Sequence, residues 1–203
     1  MATGHTDPQR RARILAATLD LIAEEGVAGV SHRKIAARAR VPLGSMTYHF
    51  AGIDDVLLEA FTGYADHVVT VFEQHLAGVT TPDQARDAVT DLIHTLSEGP
   101  GRDLILTQEL YTLAARHEPY RALCRRWMRR SRDLLEQHFS PPTARRLDAL
   151  IEGLTLHRAL DDDPPDRTLT REAVRLITGA CGRAAEKKSG DDVENPRPAP
   201  SQG

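Results

Sequence analysis

Apolar residues recur at helical spacing along most of the chain. Leu15, Leu19 and Ile22 lie three or four positions apart, which is the period of a helix that buries one face. Asp7 and Pro8 give this helix a start signal, because aspartate caps helices and proline suits the first helical position. We find no segment with the convincing apolar–polar alternation of a half-buried strand. The pattern therefore predicts an all-α fold.

A second and shorter helix is predicted from Ser31 to about residue 39. Serine is a favoured N-cap, and Val30 and Ile35 are placed to form a hydrophobic staple around it. The segment VPLGSMTYHF follows at residues 41–50. Two short helices joined by a brief turn are typical of a helix-turn-helix, whose second helix enters the major groove of DNA.

The polar side chains of residues 41–50 suit that role, because hydroxyl, phenol and imidazole groups can reach base edges and phosphates. Met46 and Phe50 would anchor the helix inward. Arg33 and Lys34 on the preceding helix would attract phosphate without regard to base sequence. The groups that could contact DNA from the second helix are Ser45, Thr47, Tyr48 and His49.

Longer helical patterns fill most of the remaining chain. Acidic residues at positions 54 and 55 favour the first turn of one helix, and a Thr-Pro pair at 81–82 begins another. Three more helices are expected after residue 101: one to about 116, one to about 139 and one before a loop at 161–166. A last one begins near 170. From about residue 187 the sequence is polar and rich in Pro and Gly, so we predict a disordered tail.

Composition and charge narrow the class of protein. The 203 residues carry a net charge of −3, yet the first 50 contain seven Lys or Arg against four Asp or Glu. Such a basic region can meet an anionic polymer although the whole chain is acidic. The two cysteines lack zinc-ligand spacing, and no apolar run reaches the roughly 18 residues of a membrane span. With no signal-peptide pattern, we expect a cytoplasmic protein without a metal or cofactor.

The order and spacing of these features resemble a known family. The segment RARILAATLDLIAEEGVAGVSHRKIAARARVPLGSMTYHFAGIDDVLLEAF, residues 11–61, resembles the DNA-binding domain of the tetracycline-repressor (TetR) family of transcriptional regulators. The resemblance implies an all-α homodimer whose last two helices pair into a four-helix bundle. It also implies that a small ligand in the central helical domain controls release from DNA.

The resemblance extends to individual positions. Pro42 stands where the family usually has a capping serine, so the recognition helix is expected to lack a side-chain cap. Residues 1–50 would form the DNA-binding domain, 51–187 the ligand-binding and dimerisation domain, and 188–203 a disordered tail. The positions that match the family's DNA contacts are Ser31, His32 and Arg33 on the second helix and Leu43, Gly44, Ser45, Thr47, Tyr48 and His49 on the recognition helix.

The candidate ligand contacts rest on weaker patterns. Gln108 and Thr112 interrupt a mostly apolar helix, and they are either polar anchors in an apolar pocket or exposed side chains. Tyr111 and Trp127 are either core residues or pocket residues, and the resemblance favours the pocket. Cys124, one turn before Trp127, either shares its environment or is inert core. His157 either reaches the pocket or dimer interface, or is a satisfied core histidine. The predicted ligand-binding residues are therefore Gln108, Tyr111, Thr112, Cys124, Trp127 and His157.

The last two helices carry apolar stripes that need a partner. We predict a homodimer interface that includes Leu147, Leu154, Ile177 and Cys181. Small residues that cluster from position 179 to 185 would allow close helix approach, although they could equally mark a fraying helix end.

These patterns predict a ligand-responsive transcriptional regulator. We expect a repressor that a small, largely apolar molecule releases from a palindromic operator, and the sign of regulation follows the family's habit. A ligand-independent architectural DNA-binding protein is the alternative. An enzyme is disfavoured, because the sequence has no P-loop, dinucleotide fingerprint, HExxH segment or nucleophile elbow.

Overall fold

A computed structural model describes residues 9–98 and 101–188, the last nine of these by backbone alone. Within these ranges the chain forms helices and no strand, which confirms the predicted all-α fold. A short 3₁₀ turn, Val27–Gly29, follows the first helix. The α-helices are α1 (Arg10–Glu25), α2 (His32–Ala39), α3 (Gly44–His49), α4 (Ile53–Leu76), α5 (Pro82–Ser97), α6 (Arg102–Arg116), α7 (Glu118–Leu135), α8 (Pro141–Leu160) and α9 (Arg167–Lys188).

Helices α1 to α3 enclose a small hydrophobic core. Ile14, Ile35 and Met46 are completely buried in it, and Phe50 closes it after α3. The Ser31 side chain caps α2 by accepting from the Lys34 backbone N–H at 3.4 Å. Among the described residues no side chain caps α3, in agreement with the proline at position 42. Because a helix of six residues is too short to persist alone, its buried side chains must hold it in place.

The turn between α2 and α3 contains a strained arginine. Arg40 ends α2 with φ of 55° in the left-handed region, and it is the one non-glycine residue with positive φ in the described part of the chain. Its N–H bonds to the carbonyls of Ala36 and Ala37. A side chain at this position costs conformational energy that glycine would avoid.

Helices α4 to α9 build a second and larger core. Phe61, Leu92, Leu110 and Leu135 are among its fully buried side chains. Ile22 of α1 belongs to this core as well, while other α1 residues belong to the smaller one. One helix therefore contributes to both cores, and movement of the larger helices cannot leave α1 untouched.

Two helix boundaries differ from the sequence prediction. Helix α7 ends at Leu135, so a continuous helix to about residue 139 was wrong. Helix α9 begins at Arg167, three residues before the predicted start. Its first turn is capped by Asp166 Oδ1, which accepts from the backbone N–H groups of Thr168 and Leu169 at 2.8 and 3.2 Å. An aspartate directly after two prolines is the signal that the periodicity analysis overlooked.

Several sequence predictions fall outside the described residues. These are the helix start at residues 7–8 and the predicted tail beyond residue 188. Within the described residues, no helix is both long and apolar enough to cross a membrane.

Candidate functional site

An exposed surface follows the outer sides of α2 and α3. Tyr48 is 80% exposed and Leu43 is 55% exposed, which is unusual for large side chains that have a core beside them. The surface also curves inward between the starts of α2, α3 and α4 to form an open recess lined by Ser31, Arg33 and Thr47 among others. We call this surface the α2–α3 face and define it by Ser31, Arg33, Arg40, Leu43, Gly44, Thr47 and Tyr48, all of them exposed.

The cations of α2 divide into paired and unpaired groups. Lys34 Nζ lies 2.5 Å from Glu25 Oε2 and also donates to the Gly29 carbonyl at 2.9 Å. Arg38 binds Glu24 through both carboxylate oxygens, at 2.8 and 2.5 Å. Arg33 and Arg40 have no acidic partner within the described part of the chain. The ammonium of the exposed Lys34 already bridges α2 to α1, so its contact with DNA stays a prediction that requires this exposed ion pair to open.

Three other predicted DNA contacts are also less available than expected. Ser45 is only 7% exposed, because its position on the short helix faces the small core, so it is removed from the candidate contacts. His32 is partly buried, and its Nε2 has no hydrogen-bond partner in the structure. His49 is half-buried with its ring edge-on to Tyr48, 4.9 Å between centroids.

Arg11 performs a structural task next to this face. Its Nε donates to Glu59 Oε1 at 2.7 Å, and Nη1 donates to the His49 carbonyl at 3.1 Å. The guanidinium also lies over the Phe50 ring, 4.7 Å from its centroid. Arg11 thus ties α1 to the end of α3 and to α4, so it steadies the face without being part of it.

A cavity of about 100 Å³ lies inside the larger core, lined by residues of α4, α5, α6, α7 and α8. Aromatic rings form much of its wall. Tyr111 and Trp127 are stacked at 28° with centroids 6.2 Å apart, and Tyr64 meets Trp127 edge-on at 6.1 Å. We call this space the aromatic cavity.

The polar groups of the aromatic cavity are mostly acidic. Asp103, Asp148 and Glu152 line it, whereas none of the described lining residues is Lys, Arg or His. Asp148 Oδ2 accepts from Arg132 Nε at 2.7 Å behind the wall. Burial raises the pKa of the Asp148 carboxyl, and the Arg132 bond opposes that rise. Burial likewise raises the pKa of Tyr111, and the neighbouring Glu152 carboxylate adds to the effect.

The predicted ligand contacts separate into two groups. Gln108, Tyr111 and Trp127 line the aromatic cavity. Thr112 and His157 are exposed and lie outside its lining, because each points from the other side of its helix.

Cys124 is the third predicted contact that the cavity lining excludes. It is buried in the core, where desolvation raises the pKa of its thiol. Thr112, Cys124 and His157 thus lie outside the cavity lining in this structure, and their contact with a ligand stays a prediction. Sequence reasoning missed the acidic lining, because its three carboxylates come from two separate helices.

A second cavity, of about 540 Å³, adjoins the first. The two share Tyr64, Leu96, Asp103, Leu104 and Thr155 as lining residues, so these side chains form a common wall. Leu19 of α1 lines the second cavity. The space available to a ligand therefore reaches from the larger core to the helix that supports the α2–α3 face.

The predicted dimer residues are only partly at the surface. Leu147 is completely buried in the core of its own protomer, so it cannot form part of an interface and that prediction is corrected. Leu154 and Ile177 are partly exposed, and the side chain of Cys181 lies outside the described residues. Leu160, Leu169 and Leu176, which were not predicted, are 71, 63 and 65% exposed and lie on α8 and α9.

Comparison with known proteins identifies the family to which this chain belongs. The family described as bacterial regulatory proteins, tetR family, matches residues 14–60, and the tetracyclin repressor-like C-terminal domain matches residues 80–180. A solved structure of a proposed transcriptional regulator from Streptomyces coelicolor A3(2) is 67% identical to the chain, with a TM-score of 0.79. The match covers 84% of this chain and 99% of that one. The chain belongs to the TetR family.

Other TetR-family structures match the chain at lower identity. A TetR-family member from Streptomyces coelicolor A3 is 32% identical over 84% of this chain and 99% of that one, with a TM-score of 0.76. The multidrug binding protein EbrR, in complex with malachite green, is 33% identical over the same shares, with a TM-score of 0.71. No curated protein matches significantly. As a TetR-family transcriptional regulator, this protein has an N-terminal DNA-binding domain, which the family model matches at residues 14–60.

Proposed function

We propose that this TetR-family protein is a homodimeric repressor that leaves a palindromic operator when a small organic molecule occupies the aromatic cavity. The observation that carries the proposal is the position of α6, which lies between the cavity and α1. The EbrR structures in complex with ethidium and malachite green support a ligand site in a related fold.

The operator contacts are assigned to the α2–α3 face. Thr47 and Tyr48 are exposed on α3 and are assigned to base edges in a major groove, while Arg33 and Arg40 add two positive charges for phosphate. A homodimer presents two such faces related by two-fold symmetry, so its site should be a palindrome.

Helix α6 connects the ligand site with the DNA-binding domain. On one side Asp103, Thr107 and Tyr111 line the aromatic cavity. On the other side Arg102 binds Asp20 of α1 at 2.8 Å, and the Glu109 carboxylate lies against Gly26 at the end of α1. A ligand that displaces α6 therefore displaces α1 and changes the spacing of the two recognition helices.

The ligand must distinguish two states of the protein. It releases DNA only if it binds the DNA-incompetent spacing more tightly than the competent one. The exposed Arg102–Asp20 pair contributes little energy by itself. The coupling is assigned instead to the shared packing of α1 and α6, with a typical size of about 1–3 kcal/mol.

A pair of glycine variants tests this route. Gly26 and Gly78 both have positive φ, at 70° and 72°, so alanine strains both. A Cβ added at Gly26 would lie 2.9 Å from Glu109 Oε1. A Cβ added at Gly78 would have no described atom of another residue within 4 Å, its chain neighbours aside. Gly26→Ala should change the ligand's effect on operator affinity, measured by fluorescence anisotropy, and Gly78→Ala should leave it unchanged. Equal coupling in both variants would remove the Gly26–Glu109 contact from the proposed route.

The dimer interface is assigned to exposed leucines of α8 and α9. Leu169 and Leu176 are seven residues apart and so share one face of α9. Leu176→Glu should place an unpaired charge in the interface and separate the protomers, while Leu43→Glu on the α2–α3 face serves as the control. Sedimentation should show a monomer for the first variant and a dimer for the second; a dimer for both would place the interface elsewhere.

A further inference from the structure

All the charged side chains that line the aromatic cavity in the described structure are acidic. Asp103 and Glu152 lie at its exposed rim, and Asp148 lies deeper. Asp148 is balanced by Arg132, whereas Asp103 and Glu152 have no cationic partner in the described residues. A neutral apolar ligand would gain nothing from these two carboxylates, and an anion would be repelled by them.

The walls of the cavity favour the same class of ligand. Trp127, Tyr111 and Tyr64 all line the space, with the rings of Trp127 and Tyr111 stacked on each other and Tyr64 edge-on to Trp127. The faces of aromatic rings carry negative partial charge and attract organic cations, most strongly when water is excluded. Carboxylates at the rim and rings within thus form one electronegative path from the surface inward.

The Thr155 hydroxyl is a polar group at the cavity that forms no hydrogen bond in the structure. Thr155 Oγ1 is shielded from solvent and has no hydrogen-bond partner in the structure, although Thr155 lines both cavities. Buried hydroxyls are rarely left unpaired. A polar atom of a bound molecule could satisfy this hydroxyl.

We propose that the effector of this protein is an aromatic organic cation, held by the carboxylates of Asp103 and Glu152 and by the rings of Tyr111 and Trp127. This deepens the proposed function by naming its ligand class, and it replaces the largely apolar molecule that the sequence suggested. The regulatory consequence rests on the proposed function, whereas the binding itself does not.

Space for such a ligand requires movement of the shared wall. A volume of about 100 Å³ is below the roughly 300 Å³ at which drug-sized sites begin. The adjoining cavity of about 540 Å³ supplies the missing room once the shared side chains shift. Arg102 and Arg158 line that second cavity, so the positive end of the ligand should remain on the Glu152 side.

The experiment uses two ions of nearly the same shape and opposite charge. Tetraphenylphosphonium and tetraphenylborate are titrated into the full-length protein without DNA, at low ionic strength and pH 7.5, by calorimetry and by Trp127 emission. We expect the cation to bind at least about tenfold more tightly than the anion. The carboxylates of Asp103 and Glu152 both attract the cation and both repel the anion.

Charge-neutralising variants locate the effect. Glu152→Gln and Asp103→Asn should each weaken cation binding about fivefold, the effect of one close charge in a well-solvated site. Glu172→Gln, which removes an exposed carboxylate from α9, should change nothing. Melting temperatures should change little in all three variants, because none of these side chains forms an ion pair with another described residue.

The outcomes separate this proposal from the regulatory one. Equal affinity for the two ions, tighter binding of the anion, or an equal loss in Glu172→Gln would overturn the assignment of a cation. If the cation binds as expected but leaves operator affinity unchanged, the ligand class stands and the proposed regulation fails.

Discussion

The α2–α3 face and the aromatic cavity are built in opposite ways. The face comes from one continuous stretch, residues 31–48, whereas the cavity is lined by residues from α4, α5, α6, α7 and α8. Local signals such as a cap, a proline and a short polar helix are enough to find the first. The second exists only where distant helices meet, so its charge and shape depend on tertiary packing. The difference suggests that mutations act by separate rules in the two regions.

The largest effect should come from the residue that joins the two regions. Ile22 is completely buried and brings α1 into the core of the larger domain. Ile22→Ala should cost about 2–5 kcal/mol of folding free energy through lost contacts and a cavity. Leu43→Ala, a truncation on the exposed face, should cost less than about 0.5 kcal/mol.

Denaturant unfolding measures both free energies. If the two cores fold as one unit, Ile22→Ala shifts a single transition that far-UV circular dichroism and Trp127 emission report alike. Separate transitions by the two probes would mean that the two cores unfold independently. The claim that α1 couples them would then be wrong.

Two adjacent cations test how sharply the face is defined. Arg33 is unpaired, while Lys34 is held by Glu25 and the Gly29 carbonyl. Arg33→Ala should weaken operator binding about tenfold and reduce the salt dependence of the affinity, since each phosphate contact contributes to that slope. Lys34→Ala should change affinity less than threefold, with a small loss of stability because it breaks an exposed ion pair. Anisotropy titrations at several salt concentrations decide between them, and equal losses would mean that the ion pair opens on DNA.

Arg40 offers a change of opposite sign in stability and binding. Its left-handed backbone costs about 1 kcal/mol relative to glycine. Arg40→Gly should therefore increase the free energy of unfolding by about that amount, which makes the protein more stable. The lost charge should at the same time weaken operator binding. Arg40→Lys keeps both the strain and the charge, so it should match the wild type in thermal melting and nearly match it in affinity. A Gly variant with undiminished affinity would remove Arg40 from the face.

The smallest effect is a pH dependence within the larger domain. Partial burial and the nearby Arg158 hold the pKa of His94 below its ordinary value, while Glu98 and Asp166 act in the opposite direction. His94 Nε2 accepts from Arg158 at 2.9 Å, which requires the neutral ring. Below a pH of about 6.5 His94 takes up a proton in the unfolded chain but remains neutral in the folded protein. The free energy of unfolding therefore falls as the pH is lowered further.

His94→Gln should flatten this part of the stability profile, because glutamine does not titrate. Melting temperatures of the two proteins between pH 7.5 and 5.5 provide the comparison. Parallel profiles would show that other groups cause the acid loss.

Much of the fold was predictable from sequence, and the reason is local. Helix periods, the Ser31 cap and the inward residues Met46 and Phe50 all follow from neighbours along the chain. The boundaries that failed depended on one capping side chain, Asp166, and on where α7 stops packing.

The sites were predictable to a lesser degree. Exposure of Tyr48 agrees with a role that its position suggested, but Ser45 and Lys34 show that position alone does not reveal burial or an existing ion pair. In the cavity, Tyr111 and Trp127 were found as aromatic residues near polar ones. The partnership of Asp103 with Glu152 could not be found, because nothing in the sequence indicates that α6 and α8 meet there.

The most direct test of the account is a linked titration of ligand and DNA. An operator duplex is first selected from random-sequence DNA, and tetraphenylphosphonium, which is too bulky to intercalate, serves as ligand. Its binding is followed by the emission of Trp127, the only tryptophan in the chain, with and without saturating operator. We predict that operator weakens ligand binding by the same factor, about 5–150-fold, by which the ligand weakens operator binding. Ligand affinity that is identical in the presence and absence of operator would contradict the claim that the cavity controls the DNA-binding face.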